Sequence, residues 1–208
     1  MLKRVFDIIA AAIGLVLLSP LLLLAALAVK FTSRGPMLFR QERVGCGGRP
    51  FYILKFRTMV ADAPARGGQI TFGADPRITP VGRVLRKTKI DELPQLFNVL
   101  RGEMSLVGPR PEVAKYVEMF AEDYEEILRV RPGVTDLASL KFRDESTILG
   151  QAADPEREYV ERVLPEKIRL AKEYVRRQSL FFDFWIIFAT LYTVAVDAVK
   201  HGADDKQK

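Results

Sequence analysis

The sequence predicts an α+β chain that is predominantly helical. It should open with an apolar helix-break-helix able to enter a membrane and turn back, continue through a small β-hairpin and a helical globule, and end in an amphipathic helix suited to a membrane interface. Three observations predict this. Val5 to Val29 is nearly free of charge, whereas residues 34 to 180 carry most of the Lys, Arg, Asp and Glu. Two strand-like runs flank a glycine cluster, and beyond residue 80 the apolar residues recur at helical spacing. With 208 residues, 49% of them apolar, the chain can bury one domain core. The expected divisions are residues 1–34, 35–180 and 181–208.

The first segment opens with Lys3 and Arg4, runs apolar from Phe6 to Val29 with one acid at Asp7, and closes with Lys30 and Arg34. It is too long for a signal peptide and no small-residue cleavage motif follows it. An unbroken helix of roughly 25 residues would reach about 37 Å, enough to span a bilayer core. Pro20, however, cannot donate to the carbonyl of Val16, so a kink is expected at Ser19-Pro20. The roughly 22 Å from Val5 to Pro20 would enter only one leaflet. A hairpin would put all the flanking cations, including Arg40 and Arg43, on one side; a span would divide them. The residues alone leave both open.

Two strands are expected at Met37 to Val44 and Phe51 to Met59, joined by Gly45-Cys46-Gly47-Gly48-Arg49. The cluster lacks a Gly-Lys-Ser/Thr ending and no helix follows, so it reads as a hairpin turn rather than a phosphate cradle. Residues 60 to 80, rich in Pro and Gly, read as a long irregular connection. Helices are expected at Gly82 to Lys89, Asp91 to Leu100, Glu112 to Arg129, Pro155 to Gln178 and Phe181 to Lys200. Leu93, Leu96, Phe97 and Leu100 set the spacing in the second, with Pro94 in its first turn. The last helix carries Phe181, Phe182, Phe184, Trp185 and Phe188 with Asp183 and Asp197, a pattern for the headgroup boundary or for packing on the first segment.

A net charge of +6 admits nucleic acid, anionic lipid or a phosphorylated substrate as partner. The aromatic residues lie in apolar runs rather than alternating with Lys and Arg, which argues against a nucleic acid. One cysteine, Cys46, excludes an internal disulfide and a thiolate metal cluster, as in a reducing compartment. The sole histidine, His201, lies in a polar tail, so Ser-His-Asp and Cys-His mechanisms lack a base. Any chemistry rests on carboxylates, Lys, Arg or a metal.

The stretch from Arg83 to Pro111 concentrates such groups. Asp91 and Glu92 begin a helix, preceded by Arg86, Lys87 and Lys89 and followed by Arg110 held between Pro109 and Pro111. Acids at a helix start are also ordinary caps, and the pair alone would favour that plainer role. With the cations added, the set suits phosphoryl transfer, where one carboxylate can attack and its neighbour can hold Mg²⁺. Arg86 and Arg110 would then face the nonbridging oxygens.

K-F-R-T-M at Lys55 to Met59, the run Asp91 to Pro111, and R-P-G-V-T at Arg131 to Thr135 together resemble the bacterial sugar transferase family, the monotopic phosphoglycosyl transferases. The K-R-x-F-D pattern at Lys3 to Asp7 and the Ser19-Pro20 break resemble it too. The resemblance implies a phosphoglycosyl transferase at the cytoplasmic face of a bacterial inner membrane, with residues 35–180 as its catalytic domain. Asp91 would attack a UDP-sugar, release UMP and carry the phosphosugar, with Glu92 binding Mg²⁺. Polyprenol phosphate, expected as undecaprenyl phosphate, would take up the phosphosugar as the first membrane step of glycoconjugate assembly. Arg86 and Arg110 would hold phosphate groups, with Lys55 and Arg143 as further neighbours. The re-entrant form of the first segment is favoured by the same resemblance. After R-P-G-V-T the chain departs from the family's usual G-W-A-Q-V-N-G-R and reads D-L-A-S-L-K-F-R-D-E, which leaves the donor sugar open. The sequence is compatible with a homodimer. Two rivals remain: a non-catalytic basic protein that binds membrane lipid, and a transferase in which Asp91 is only a base for direct attack by the lipid phosphate.

Overall fold

Leu2–Thr32 form one helix, α1, which runs through Pro20 without interruption. The expected helix-break-helix is therefore corrected to a continuous helix with a proline inside. Its physical basis is local: Pro20 leaves the carbonyl of Val16 without its backbone donor, and the Ser19 hydroxyl donates to that carbonyl over 2.8 Å. The helix is long and apolar enough to cross a membrane. The computed structural model describes residues 1–63, 71–73, 75–143 and 145–204, with the backbone alone for 197–204. Pro64, Gly67 and Gly68 of the long connection and the last four residues of the tail lie outside the described residues.

Both halves of α1 lie on the same body. Near its start, Arg4 donates to the carbonyls of Val99 and Leu100 over 2.7 and 3.2 Å. Buried Asp7 accepts from Ser105 Oγ and from the Leu106 amide at 2.8 and 3.1 Å. Ala11 packs with Phe51, Ile53, Leu96 and Met104, and beyond Pro20, Ala25 and Val29 pack with Phe56 and Leu85. At the C-terminal end Arg57 Nη2 donates to the Ser33 carbonyl over 2.8 Å. The other face, including Ile9, Ile13, Val16, Leu17 and Leu24, is exposed.

Strands β1 (Leu38–Val44) and β2 (Pro50–Phe56) pair antiparallel from Leu38↔Phe56 to Val44↔Pro50. The turn between them needs glycine, because Gly47 and Gly48 have φ of +69° and +74°. The second strand ends earlier than the sequence suggests, since Met59 leaves β1 to bridge Ile78 across the mouth of the long connection. Helix α2 (Pro80–Lys87) is followed by a tight 3₁₀ turn at Ile90–Glu92 and then by α3 (Gln95–Arg101). The single helix expected from Asp91 is thus a turn and a helix, divided at Pro94.

Strands β3 (Ser105–Val107) and β4 (Gly133–Thr135) form a second, parallel pair that the sequence does not announce. Three residues each are too few for a period-2 pattern. Between them, the helix expected at Glu112 to Arg129 is two helices, α4 (Ala114–Met119) and α5 (Ala121–Ile127), separated where Phe120 leaves helical geometry at φ −122° and ψ 41°. That bend brings Tyr116, Tyr124 and Ile127 onto one core with Leu149, Tyr159 and Leu164.

Short helices α6 (Leu137–Lys141), α7 (Glu145–Gly150) and α8 (Pro155–Glu158) lead through a π turn at Tyr159–Val163 into α9 (Leu164–Arg177). The wide turn falls just before Pro165, whose ring would otherwise press on the preceding turn. The final helix, α10 (Leu180–Asp204), returns to α1, with Phe6 and Phe184 edge to face at 4.9 Å. Its Phe181, Trp185, Phe188 and Leu191 are exposed, continuing the apolar face of α1.

Candidate active site

Three local devices aim the acid pair. Thr79 caps α2 by accepting from the Gly82 amide over 2.9 Å, and α2 lies so close to β2's extension that a Cβ at Gly82 would sit 2.0 Å from the Thr58 carbonyl oxygen. Lys89 then takes a left-handed conformation, φ 58° and ψ 13°, a strained geometry for a side chain with a Cβ. The following 3₁₀ turn places Asp91 and Glu92 on neighbouring faces of one cavity of ≈ 1400 Å³.

Glu92 is held by two cations. Arg110 donates to it in a fork, Nη2 to Oε1 at 2.5 Å and Nη1 to Oε2 at 3.3 Å, and Lys55 Nζ donates to Oε1 at 2.7 Å. Burial would push the Glu92 carboxyl up, but the charges of Arg110 and Lys55 outweigh it and hold the group well below the usual range. The same carboxylate raises Arg110, and burial lowers Lys55 against the pull of Glu92.

Asp91 is the opposite case. It is 7% exposed and its Oδ1 is buried without a hydrogen-bond partner. Burial first, and the Glu92 charge second, push it up to about 6. One acid is therefore neutralised by fixed cations, while its neighbour, which also lines the cavity, keeps a buried oxygen that no protein group bonds.

Arg86 reaches the site from α2, its Nε donating to Thr58 Oγ1 over 2.8 Å, and burial lowers it against the pull of Asp91. Pro109 and Pro111 flank Arg110 outside the cavity lining: the Pro109 carbonyl accepts from the Gly133 amide at 3.0 Å and the Pro111 carbonyl accepts from Arg43 at 3.3 Å. Lys55, Arg86, Arg110, Asp91 and Glu92 thus share one cavity. Arg143 lines it from the far side, where its Nη2 donates to the Thr193 carbonyl on α10 over 3.1 Å. Ser19 and Pro20 lie on α1 and are not among the residues that line it.

Sequence reasoning passed over Thr58, which anchors Arg86, and the left-handed Lys89. Thr58 stood within the K-F-R-T-M motif. A lysine between a threonine and an isoleucine carries no turn signal, so Lys89 had none.

Among the described residues, no cluster of three or more His, Cys, Asp or Glu is spaced to hold a metal ion. That pattern does not suit Mg²⁺ in any case, which takes one or two carboxylates and fills its remaining positions with water and substrate phosphate. Glu92 lines the cavity, and its Oε2 carries only the 3.3 Å bond from Arg110, so one carboxylate oxygen fits such a donor set.

Residues 1–197 match the family described as bacterial sugar transferase. The chain belongs to the bacterial sugar transferase family. Within it, the sequence is similar to the UDP-glucose:undecaprenyl-phosphate glucose-1-phosphate transferase of Caulobacter vibrioides, 43% identical over 192 residues that cover 91% of this chain and 68% of that protein. It is also similar to the UDP-N-acetylgalactosamine-undecaprenyl-phosphate N-acetylgalactosaminephosphotransferase of Aeromonas hydrophila, 41% identical over 93% of this chain and 43% of that protein. The exopolysaccharide production protein ExoY of Rhizobium meliloti is 37% identical over 94% of this chain and 86% of its own length. This bacterial sugar transferase therefore spans less than half of the Aeromonas relative and most of the Rhizobium one.

Proposed function

We propose that this chain is a phosphoglycosyl transferase that moves a phosphosugar from a UDP-sugar to undecaprenyl phosphate through a covalent aspartyl intermediate. The observation that carries this reading is the buried, unpartnered Asp91 oxygen beside a Glu92 held by Arg110 and Lys55.

The Asp91 carboxylate attacks the β-phosphorus, forming a phosphorus–oxygen bond to one of its oxygens. The bond from that phosphorus to the bridging oxygen breaks, and UMP leaves with the electron pair. In the second step an oxygen of the lipid phosphate attacks the same phosphorus and Asp91 is released as a carboxylate. Arg86 and Arg110 face the nonbridging oxygens, where their fixed charge stabilises the transition state. Mg²⁺, if held by Glu92, would offset the negative charge of the diphosphate. The cavity of ≈ 1400 Å³ exceeds an ordinary ligand pocket of about 300–1,000 Å³, as a site serving both a nucleotide sugar and a lipid head should.

The membrane reading belongs with this function. Both ends of α1 are bonded to one body, through Arg4 and through Ser33, which a straight span with that body on one side of the bilayer would not allow. A shallow, re-entrant or interfacial insertion at the cytoplasmic face of the inner membrane accounts for it, with α10 lying at the same boundary. The purified chain, given UDP-sugars, undecaprenyl phosphate and Mg²⁺, should release UMP, and intact mass after donor alone should show an added phosphosugar. UMP release with no mass gain would favour direct attack, with Asp91 as a base. Unchanged turnover in Asp91→Asn and Glu92→Gln would end the enzyme reading in favour of lipid binding alone.

A further inference from the structure

The cavity has two polar flanks. Arg57, Arg77, Arg86, Lys87 and Lys89 are in the lining, cations for the two phosphates of a nucleotide. On the Arg110 flank Lys55 shares Glu92 with the guanidinium, and Glu145, which lines the cavity, also acts on the Arg110 charge. Paired with Lys167, Glu145 adds no net charge yet can accept hydrogen bonds from hydroxyls, so this flank suits the neutral sugar.

On that flank Glu145 of α7 and Lys167 of α9 form an ion pair at 2.5 Å, with side chains 28% and 14% exposed, and both line the cavity. Lys167 is fixed further by lying 4.9 Å above the Tyr159 ring, whose hydroxyl donates to Glu112 Oε2 over 2.7 Å. The pair therefore offers an acceptor and a donor in set positions, backed by packing. None of these groups touches Asp91 or Glu92 through a hydrogen bond.

We propose that Glu145 and Lys167 select the donor sugar, reading its hydroxyl or acetamido substituents on the Arg110 side of the cavity. This rests on the transferase reading above. A site built to bond a polar substituent discriminates strongly against a donor that lacks it, because its own groups are then left unpaired.

The test compares kcat/KM for UMP release from UDP-glucose, UDP-galactose, UDP-N-acetylglucosamine and UDP-N-acetylgalactosamine in the wild-type chain and three variants. The variants are Glu145→Gln, Lys167→Met and the exchanged pair Glu145→Lys with Lys167→Glu. The exchange preserves the ion pair while reversing what the cavity sees, so a merely structural role would leave it near wild type. The ratio between the best donor and its nearest competitor should change at least tenfold, with Tm of the exchanged pair near that of the wild type. Should the exchanged pair fold poorly, Glu145→Gln, which keeps size and shape, reads the same ratio. Donor ratios within twofold of wild type in the folded variants overturn the proposal and leave the transferase reading intact. No UMP release by the wild type from any donor overturns both.

Discussion

Arg110 grips Glu92 with both ends of its guanidinium, Nη2 to Oε1 at 2.5 Å and Nη1 to Oε2 at 3.3 Å. A lysine cannot reproduce that fork, since its ammonium is a point donor on a flexible stem. Arg110→Lys should therefore keep the positive charge but lose the geometry, lowering kcat/KM for UMP release by about 100-fold, the scale of one preorganised charge-stabilising donor. The chain should stay folded. Steady-state kinetics with circular dichroism would check both parts, and activity within threefold of wild type would contradict the role.

Asp91 must be ionised to attack, and burial together with Glu92 raises it to about 6 from the ordinary 3.8. The first step should slow about tenfold for each pH unit below 6 and level off above it. The sign for stability is the reverse. Between about pH 4 and 6 the folded chain keeps a proton that the unfolded chain has released, so Asp91's contribution to stability is full below 3.8 and is lost as pH rises through 6. Lys55 pulls Asp91 down, so Lys55→Met should move the acidic limb of the rate profile upward. A stopped-flow profile of UMP release from pH 5 to 8 would read both effects.

Much of this site stood in the sequence because its residues are close along the chain. Arg86, Asp91, Glu92 and Arg110 fall within one stretch, and the hairpin announced itself through glycines that only positive φ explains. Other parts depended on distant contacts. The parallel pair β3 and β4 joins segments 28 residues apart at Ser105↔Gly133, each too short for periodicity to register. Pro20 predicted a break from the missing N–H, yet one neighbouring hydroxyl supplied the donor. That Lys55 reaches Glu92, 37 positions away, was a matter of family resemblance until the fold brought β2 beside the turn.

Gly82 is where α2 and the Thr58 backbone meet without room for a methyl group, the Cβ position lying 2.0 Å from the carbonyl oxygen and 2.7 Å from its carbon. Backbone cannot swing aside as a side chain can. Gly82→Ala should cost about 3 kcal/mol of stability through overpacking. It should also weaken activity beyond what that loss explains, because α2 carries Arg86 away from Thr58. Chemical denaturation and UMP release on the folded fraction separate the two effects.

Lys3 on α1 donates to Asp183 on α10 over 2.6 Å, and Tyr174 on α9 donates to the other Asp183 oxygen over 2.7 Å. Asp183 is fully buried, whereas the Lys3 side chain is 23% exposed and can turn to water. The pair should therefore respond unequally to substitution. Lys3→Met strands a buried carboxylate and should cost about 3–5 kcal/mol. Asp183→Asn leaves Lys3 able to find solvent and should cost about 1–2 kcal/mol. Equal losses in thermal unfolding of the two variants would refute this asymmetry.

The membrane placement makes a prediction that needs no substrate. If α1 lies shallowly along one leaflet, Leu2 and Thr32, at its two ends, are on the cytoplasmic side together; a span would put one of them outside. In a Cys46→Ser background, Leu2→Cys and Thr32→Cys should both resist a membrane-impermeant maleimide in intact cells and both react once the cells are opened. Neither side chain takes part in the ion pair and hydrogen bonds that tie α1 down, which belong to Lys3, Arg4 and Asp7 on one side and to Ser33 on the other. Folding should thus survive either substitution. Labelling of one position alone from outside would establish a span and remove the argument that both ends of α1 serve a body on one face of the bilayer.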